Sequence, residues 1–231
     1  MLELFPEGFE EIEAADGIEL VAYTDPGGEE RLWHSFGGVR AEDVAADWRD
    51  RWKSFHQPVV VGPLWIGPPW EDPPSDGTSV VIEPGRAFGT GAHPTTQLCI
   101  ELLLALEPGS LVDIGCGSGV LSVVAAKLGF APVLAFDSDA PAVAATRANA
   151  EANSVEVTAA IGDVFTVELP QTDVALANIT RPTLEALAPR LRARRVVGSG
   201  YLPTDETALD GFRHVRRITR DSWAADLYEA A

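Results

Sequence analysis

Residues 111–122, Leu-Val-Asp-Ile-Gly-Cys-Gly-Ser-Gly-Val-Leu-Ser, constrain the fold of this chain more than any other stretch. The apolar run predicts a short buried strand, the glycines a tight turn, and Val120-Leu121 the start of a helix. Glycine lets the backbone turn sharply and lets a ligand approach it closely. The helix that follows presents unsatisfied N–H groups and the positive end of its dipole at the same point. A strand, turn and helix of this kind form the nucleotide pocket of a doubly wound α/β sheet. The dinucleotide fingerprint would place a third glycine at Val120. Gly115, Gly117 and Gly119 give G-x-G-x-G instead, and Asp113 precedes them. A carboxylate there suits a cationic amino-acid moiety and not a pyrophosphate. The ligand that fits is S-adenosylmethionine, which carries a sulfonium, an amine and an adenosine but no phosphate.

A second acid agrees. The apolar run 132–136 ends in Asp137, about twenty residues beyond the turn. An acid at the end of the second strand of such a sheet hydrogen-bonds ribose hydroxyls.

Around this centre the rest of the chain can be laid out. At 231 residues it holds one α/β domain and a small appendage. Residues 1–45 read as a small α+β piece. Strands near 9–13 and 17–23 flank the Asp16-Gly17 turn signal, and a helix is expected over 41–55 with Val44, Trp48, Trp52 and Phe55 on one stripe. Residues 46–57 read as a helical linker and 58–231 as the cofactor-binding domain. Prolines 58, 63, 68, 69, 73 and 74 flank short strands at 59–61 and 64–66, predicted as edge strands or a linker. Another short strand is expected at 80–82.

The loop from Glu83 to Thr96 is dense in glycine and small hydroxyls and leads into a predicted helix, 96–106, capped by Thr95 or Thr96. It reads as a ligand-covering loop, with Phe88 and Thr90 over the cofactor, rather than a connector. His93 reads equally as a base and as a conformational residue set by Pro94. Further on, a helix through Asn153, strands at 155–159, 172–179 and 195–201, a helix at 204–212 and a closing hairpin around Asp221-Ser222 are expected. Asp163 stands where an acid could meet the adenine amine, and equally where a plain turn would fall.

Charge and cysteine content bound the setting. A net charge of −18 argues against direct binding to nucleic acid and permits attraction to a basic protein. Cys99 and Cys116 lack metal-ligand spacing, so no metal is expected. No stretch reads as a membrane span or a signal peptide, and a cytoplasmic monomer is expected.

These motifs resemble those of one family. Glu83-Pro84-Gly85, Phe88-Gly89-Thr90-Gly91, His93-Pro94-Thr95-Thr96, the 113–121 turn, Asp137-Ser138-Asp139, Ala177-Asn178-Ile179 and Ser199-Gly200-Tyr201-Leu202 look like bacterial PrmA. That family methylates large-subunit ribosomal protein eleven, and the resemblance runs over roughly residues 46–231, with Trp52-Lys53 and Leu64-Trp65-Ile66 at its upstream end. It implies a class I S-adenosylmethionine-dependent methyltransferase fold, Rossmann-like, with a seven-stranded sheet whose last strand is antiparallel. It implies methylation of lysine side-chain and N-terminal amines. It also implies cofactor contacts at Thr96, Gly115, Asp137 and Asn178, and Asn178 is the expected acceptor of the amine's hydrogens. The chain departs from the family pattern at Thr180, where leucine is usual, and at Tyr201, where isoleucine is usual; the resemblance places both near the acceptor. The family's ferredoxin-like N-terminal domain would be shortened here. Two other readings remain: methylation of another basic protein or a small amine, favoured if Thr180 and Tyr201 narrow the acceptor side, and a cofactor-binding module without transfer.

Overall fold

The computed structural model describes residues 10–14, 17–21, 32–33, 35–36, 56–84 and 89–231. The chain divides into two units, 1–51 and 52–231. In the first, β1 (Glu10–Ala14) and β2 (Gly17–Val21) form an antiparallel hairpin, with Glu10 opposite Val21 and Ala14 opposite Gly17. Gly17 therefore belongs to a strand rather than to the turn. The helix expected over 41–55 lies outside the described residues.

The second unit opens with β3 (Val59–Val61), β4 (Leu64–Gly67) and β5 (Thr78–Val81), a small sheet in the order β3-β4-β5. The expectation of edge strands is corrected for β4, which is central and buried throughout. The prolines stand before and after it, so none withholds a ladder N–H. Next come α1 (Pro94–Leu104), β6 (Leu111–Ile114), α2 (Val120–Lys127), β7 (Val133–Asp137), α3 (Ala140–Ala152) and β8 (Thr158–Ile161). The chain then runs through β9 (Gln171–Asn178), α4 (Arg181–Leu187), β10 (Arg192–Tyr201), β11 (Phe212–Arg220) and β12 (Trp223–Ala230).

Seven strands pair in the order β11-β12-β10-β9-β6-β7-β8. β10, β9, β6, β7 and β8 run parallel, and β12 is antiparallel to both its neighbours. This is the expected class I arrangement. Alternation along the strands builds a core on each face. Leu111 packs with Leu98, Val123 and Leu176 on the side of α1 and α2, whereas Val112 and Ile114 pack with Leu184 and Tyr201 on the side of α4.

Two expectations are corrected. β8 starts at Thr158, three residues later than read from the Val155–Ala159 run. The stretch 181–187 is a helix with Pro182 in its first turn. The helix expected over 204–212 is a loop. Its hydrogen-bonding groups go elsewhere: the Arg217 guanidinium donates to the carbonyls of Pro203 and Asp205, and Thr207 Oγ1 donates to Asp226. Carbonyls held by a side chain are not available to a helical ladder.

Candidate functional site

The order of the strands reverses between β6 and β9, and the crevice of an open α/β sheet falls at such a point. A cleft of about 290 Å3 lies there. Its lining is Gly89, Thr96, Gly115, Cys116, Gly117, Val120, Leu121, Asp137, Asp139, Ala142 and Asn178. Two carboxylates and no lysine or arginine line it. A larger hollow of about 540 Å3, between Gln171, Arg194 and Phe212, lies at the opposite ends of β9 and β10 and holds none of the residues singled out from sequence.

The glycine turn is anchored from below and behind. Gly115 and Cys116 N–H donate to the Phe136 carbonyl at 2.8 and 3.1 Å. Gly117 N–H donates to Asp137 Oδ2 at 3.0 Å, and Asp139 N–H donates to Oδ1 at 3.0 Å. A carboxylate has about four acceptor sites, so Asp137 keeps capacity for hydroxyls in the cleft. Behind the turn, α3 supplies Thr146 Oγ1, which lies 3.1 Å from Gly117 O and 3.2 Å from Cys116 Sγ. It also supplies Asn149 Nδ2, which donates to Ser118 O at 2.8 Å. Asn149 Oδ1 accepts from Glu83 N–H, and Asn153 Oδ1 from Val81 N–H, so the same helix holds the end of β5. These supports were missed in the sequence. The signal was present as polar residues at 146, 149 and 153, one face of an alanine-rich helix. Burial, with the charge of Asp113, pushes the Cys116 thiol up to about 12, so it stays protonated at neutral pH.

At the mouth of the cleft the loop after β5 enters α1. Ser118 Oγ donates to Gly89 O, tying the loop to the glycine turn. The cap of α1 corrects the expectation of a threonine: it is His93, whose Nδ1 accepts from Thr95 N–H at 3.3 Å. The two hydroxyls have separate duties. Thr96 lines the cleft, whereas Thr95 Oγ1 lies 2.7 Å from His93 Nδ1 and 3.2 Å from Asn178 Nδ2. Trp223 packs edge-on against the His93 ring, with centroids 5.0 Å apart.

Of the residues expected at the cofactor, Thr96, Gly115, Gly117, Asp137 and Asn178 come together in the lining. Phe88 lies outside the described residues. Thr90 is half-buried beside the lining residue Gly89 but is not itself in the lining. Gly119 sits one layer back, as the left-handed N-cap of α2 against Thr146. Asp163 is exposed, and its Oδ1 accepts from Phe165 N–H at 2.9 Å, which is the plain-turn alternative.

Asp113 is also corrected. It is only 1% exposed and accepts from Ser122 Oγ at 2.6 Å, beneath the turn rather than in the cleft. Strand alternation turns it, like Leu111, toward α2. Burial raises its carboxyl from 3.8 to about 6; the Ser122 bond opposes this, and the Asp137 charge adds to it. Because the folded value lies above the unfolded one, ionising Asp113 costs the folded state ~3 kcal/mol at neutral pH and nothing below about pH 4. Asp113→Asn is therefore expected to stabilise the protein at pH 8, with a gain that shrinks as pH falls from 6 to 4. Urea unfolding across that range measures it, and a gain independent of pH would be the wrong result.

The acceptor-side expectations change as well. Tyr201 does not narrow that side: it is 3% exposed, and its hydroxyl donates to Asp226 Oδ2 at 2.9 Å. Thr180 is exposed and paired with Thr183.

Among the described residues no cluster of histidine, cysteine and carboxylates is arranged to hold a metal ion, and no helix is long and apolar enough to cross a membrane.

Comparison with known proteins gives a consistent result. The family described as Ribosomal protein L11 methyltransferase (PrmA) matches residues 13–224. The ribosomal protein L11 methyltransferase of Methylococcus capsulatus is 38% identical over 206 residues, covering 79% of this chain and 68% of the relative. The one of Shewanella baltica is 43% identical over 184 residues, covering 75% of this chain and 59% of the relative. The chain thus spans only part of the length of these relatives, as little as 55% for some. The crystal structure of a ribosomal protein L11 methylase from Lactobacillus delbrueckii subsp. bulgaricus superposes with a TM-score of 0.68 at 28% identity, covering 76% of this chain and 99% of that one.

Proposed function

The chain belongs to the family of ribosomal protein L11 methyltransferases, PrmA, and from that premise we propose that it transfers methyl groups from S-adenosylmethionine to lysine side-chain and N-terminal amines of ribosomal protein L11. The observation that carries this reading is the cleft at the glycine turn, lined by Asp137 and Asp139, without a cationic side chain, and with the Asn178 amide in its lining. Such a donor set suits a sulfonium and an adenosine and repels phosphates.

The residues of the cleft fit that cofactor. Asp137 takes the ribose hydroxyls, Gly115 and Gly117 allow the backbone close to the ligand, and Thr96 supplies a hydroxyl. When bound, S-adenosylmethionine supplies an electrophilic methyl carbon on a sulfonium leaving group. The protein's part is alignment and exclusion of water. The lysine amine, with a reference pKa of about 10.4, attacks as the neutral base, and the desolvated cleft favours that form. Asn178 accepts an amine N–H and so points the nitrogen lone pair into the cleft; the proton released after transfer leaves to water. The loop ending at Thr96 covers the cofactor. In this reading residues 1–45 recognise the substrate, 46–57 link, and 58–231 carry the chemistry. The acidic chain steers a basic protein in, in the cytoplasm and as a monomer.

Asp137→Ala removes charge-assisted hydrogen bonds and is expected to weaken S-adenosylhomocysteine binding by roughly 1–3 kcal/mol, about fivefold to 150-fold. Calorimetry reads the affinity, and radiolabel from S-adenosylmethionine on purified L11 reads the transfer. Unchanged affinity in the variant removes Asp137 from the site. Normal binding by the intact protein with no label on L11 would give the acceptor to another amine.

A further inference from the structure

We propose that His93 is a positioning residue for methyl transfer: through Thr95 it fixes the Asn178 amide with its oxygen, not its nitrogen, toward the cleft. This rests on the amine-methyltransferase reading above.

The argument is one of hydrogen-bond polarity. A backbone N–H can only donate, and Thr95 N–H points at His93 Nδ1, 3.3 Å away. Nδ1 is therefore the bare, accepting nitrogen of the ring. Thr95 Oγ1, 2.7 Å from the same nitrogen, must then be the donor in that contact. Its only hydrogen is used, so toward Asn178 Oγ1 can only accept. The amide atom 3.2 Å from it must be the NH2 group. The opposite polarity, with Nδ1–H donating to Thr95, would leave Thr95 N–H facing a hydrogen and cost α1 its cap. Each bond in the chain thus dictates the next, and Asn178 Oδ1 is turned to the cleft that Asn178 lines.

The direction matters for chemistry. Oδ1 facing the acceptor takes an amine hydrogen and leaves the lone pair for the methyl. An NH2 group there would donate to that lone pair and tie up the nucleophile. His93 is itself held in place, because Trp223 packs on its ring and Arg220 donates to Gln97 and Glu101 on α1. Both come from the β11–β12 hairpin, which the cofactor cleft does not otherwise use.

The test separates the relay from the cap. Thr95→Val cuts the hydroxyl link and keeps the cap bond to the Thr95 N–H. His93→Leu removes both. His93→Asn places an amide oxygen where Nδ1 stood and restores both. With L11 as acceptor, Thr95→Val and His93→Leu are each expected to lower kcat about tenfold or more, with KM for L11 and affinity for S-adenosylhomocysteine unchanged. The double variant should be no slower than either single one, and His93→Asn should recover most of the rate. Wild-type kcat in Thr95→Val, or losses that multiply in the double variant, would overturn the proposal. A second reading needs no activity: nitrogen-15 NMR of the intact protein, in the neutral form of the imidazole, should show His93 with its proton on Nε2. A proton on Nδ1 would overturn the inference whether or not L11 is the acceptor. Intact protein that binds cofactor, shows the Nε2–H tautomer and leaves L11 unlabelled would count against the substrate reading alone.

Discussion

Gly200→Ala is expected to lower the melting temperature by roughly 10 °C, equivalent to ~3–5 kcal/mol for a chain of this size. Gly200 has φ +107, and a Cβ built on it would sit 2.2 Å from the Ile179 carbonyl oxygen and 2.8 Å from its carbon. Both atoms are backbone and cannot rotate away. They are also held, since Ile179 N–H donates to Ser199 O at 3.0 Å. Relief requires β9 and β10 to part at their C-terminal ends, one residue from Asn178, so methyl transfer should fall further than stability does. Gly211→Ala is the control. Its φ is +81 but nothing lies within 4 Å of the added carbon, so it carries only the left-handed penalty of about 1 kcal/mol. Thermal melts of the two variants separate collision from conformation; equal losses would show that the crossing of 179 and 200 is looser than described.

Arg217→Met should be as damaging, for an electrostatic reason. Asp226 is fully buried, and Arg217 donates to both its oxygens at 2.8 Å. His214, Thr207 and Tyr201 also bind it. Burial alone would raise the carboxyl, but these bonds, Arg217 first, outweigh it and bring it from 3.8 to about 2. Taking away the guanidinium strands a buried charge and releases the carbonyls of Pro203 and Asp205, at an expected cost of about 3–5 kcal/mol at pH 7. The 202–211 loop should then become sensitive to protease. The folded value lies below the unfolded one, so in the parent protein this carboxylate stabilises above about pH 4. That contribution, ~2 kcal/mol, is lost as pH falls from 4 toward 2. In Arg217→Met the acid-dependent loss should shrink. Urea unfolding at pH 7 and pH 3 reads both effects, and an unchanged midpoint at pH 7 would be contrary to them.

What could be read in advance follows from how local each signal is. The strand, glycine turn and helix at 111–127 and the acid at the end of β7 are set by neighbouring residues, so pattern alone located them. Asp113 was misplaced because adjacency in sequence does not say which face of a strand a side chain takes, and Leu111 settles that only once α2 is packed. The 204–212 stretch looked helical because its own residues permit a helix. Its competitors, Arg217 and Asp226, lie on strands that follow it, and a window of neighbours does not contain them. Tyr201 is assigned to the acceptor side by its place in the family motif alone, and the motif does not contain the Asp226 it binds, 25 positions away. The link from His93 to Asn178 joins the N-cap of α1 to the end of β9, and neither residue announces the other.

The place of β12 has a consequence for the birth of the protein. It is made after β11 yet lies between β11 and β10. Until residues 223–230 are available, β11 has no partner strand and β10 is paired on one side alone. Arg217 has no counter-charge and His93 no Trp223 until then. The parallel ladders of β10, β9, β6, β7 and β8 do not involve β12, whereas the antiparallel end of the sheet needs it, and until β12 is in place one edge of β10 and both edges of β11 are open to mispairing.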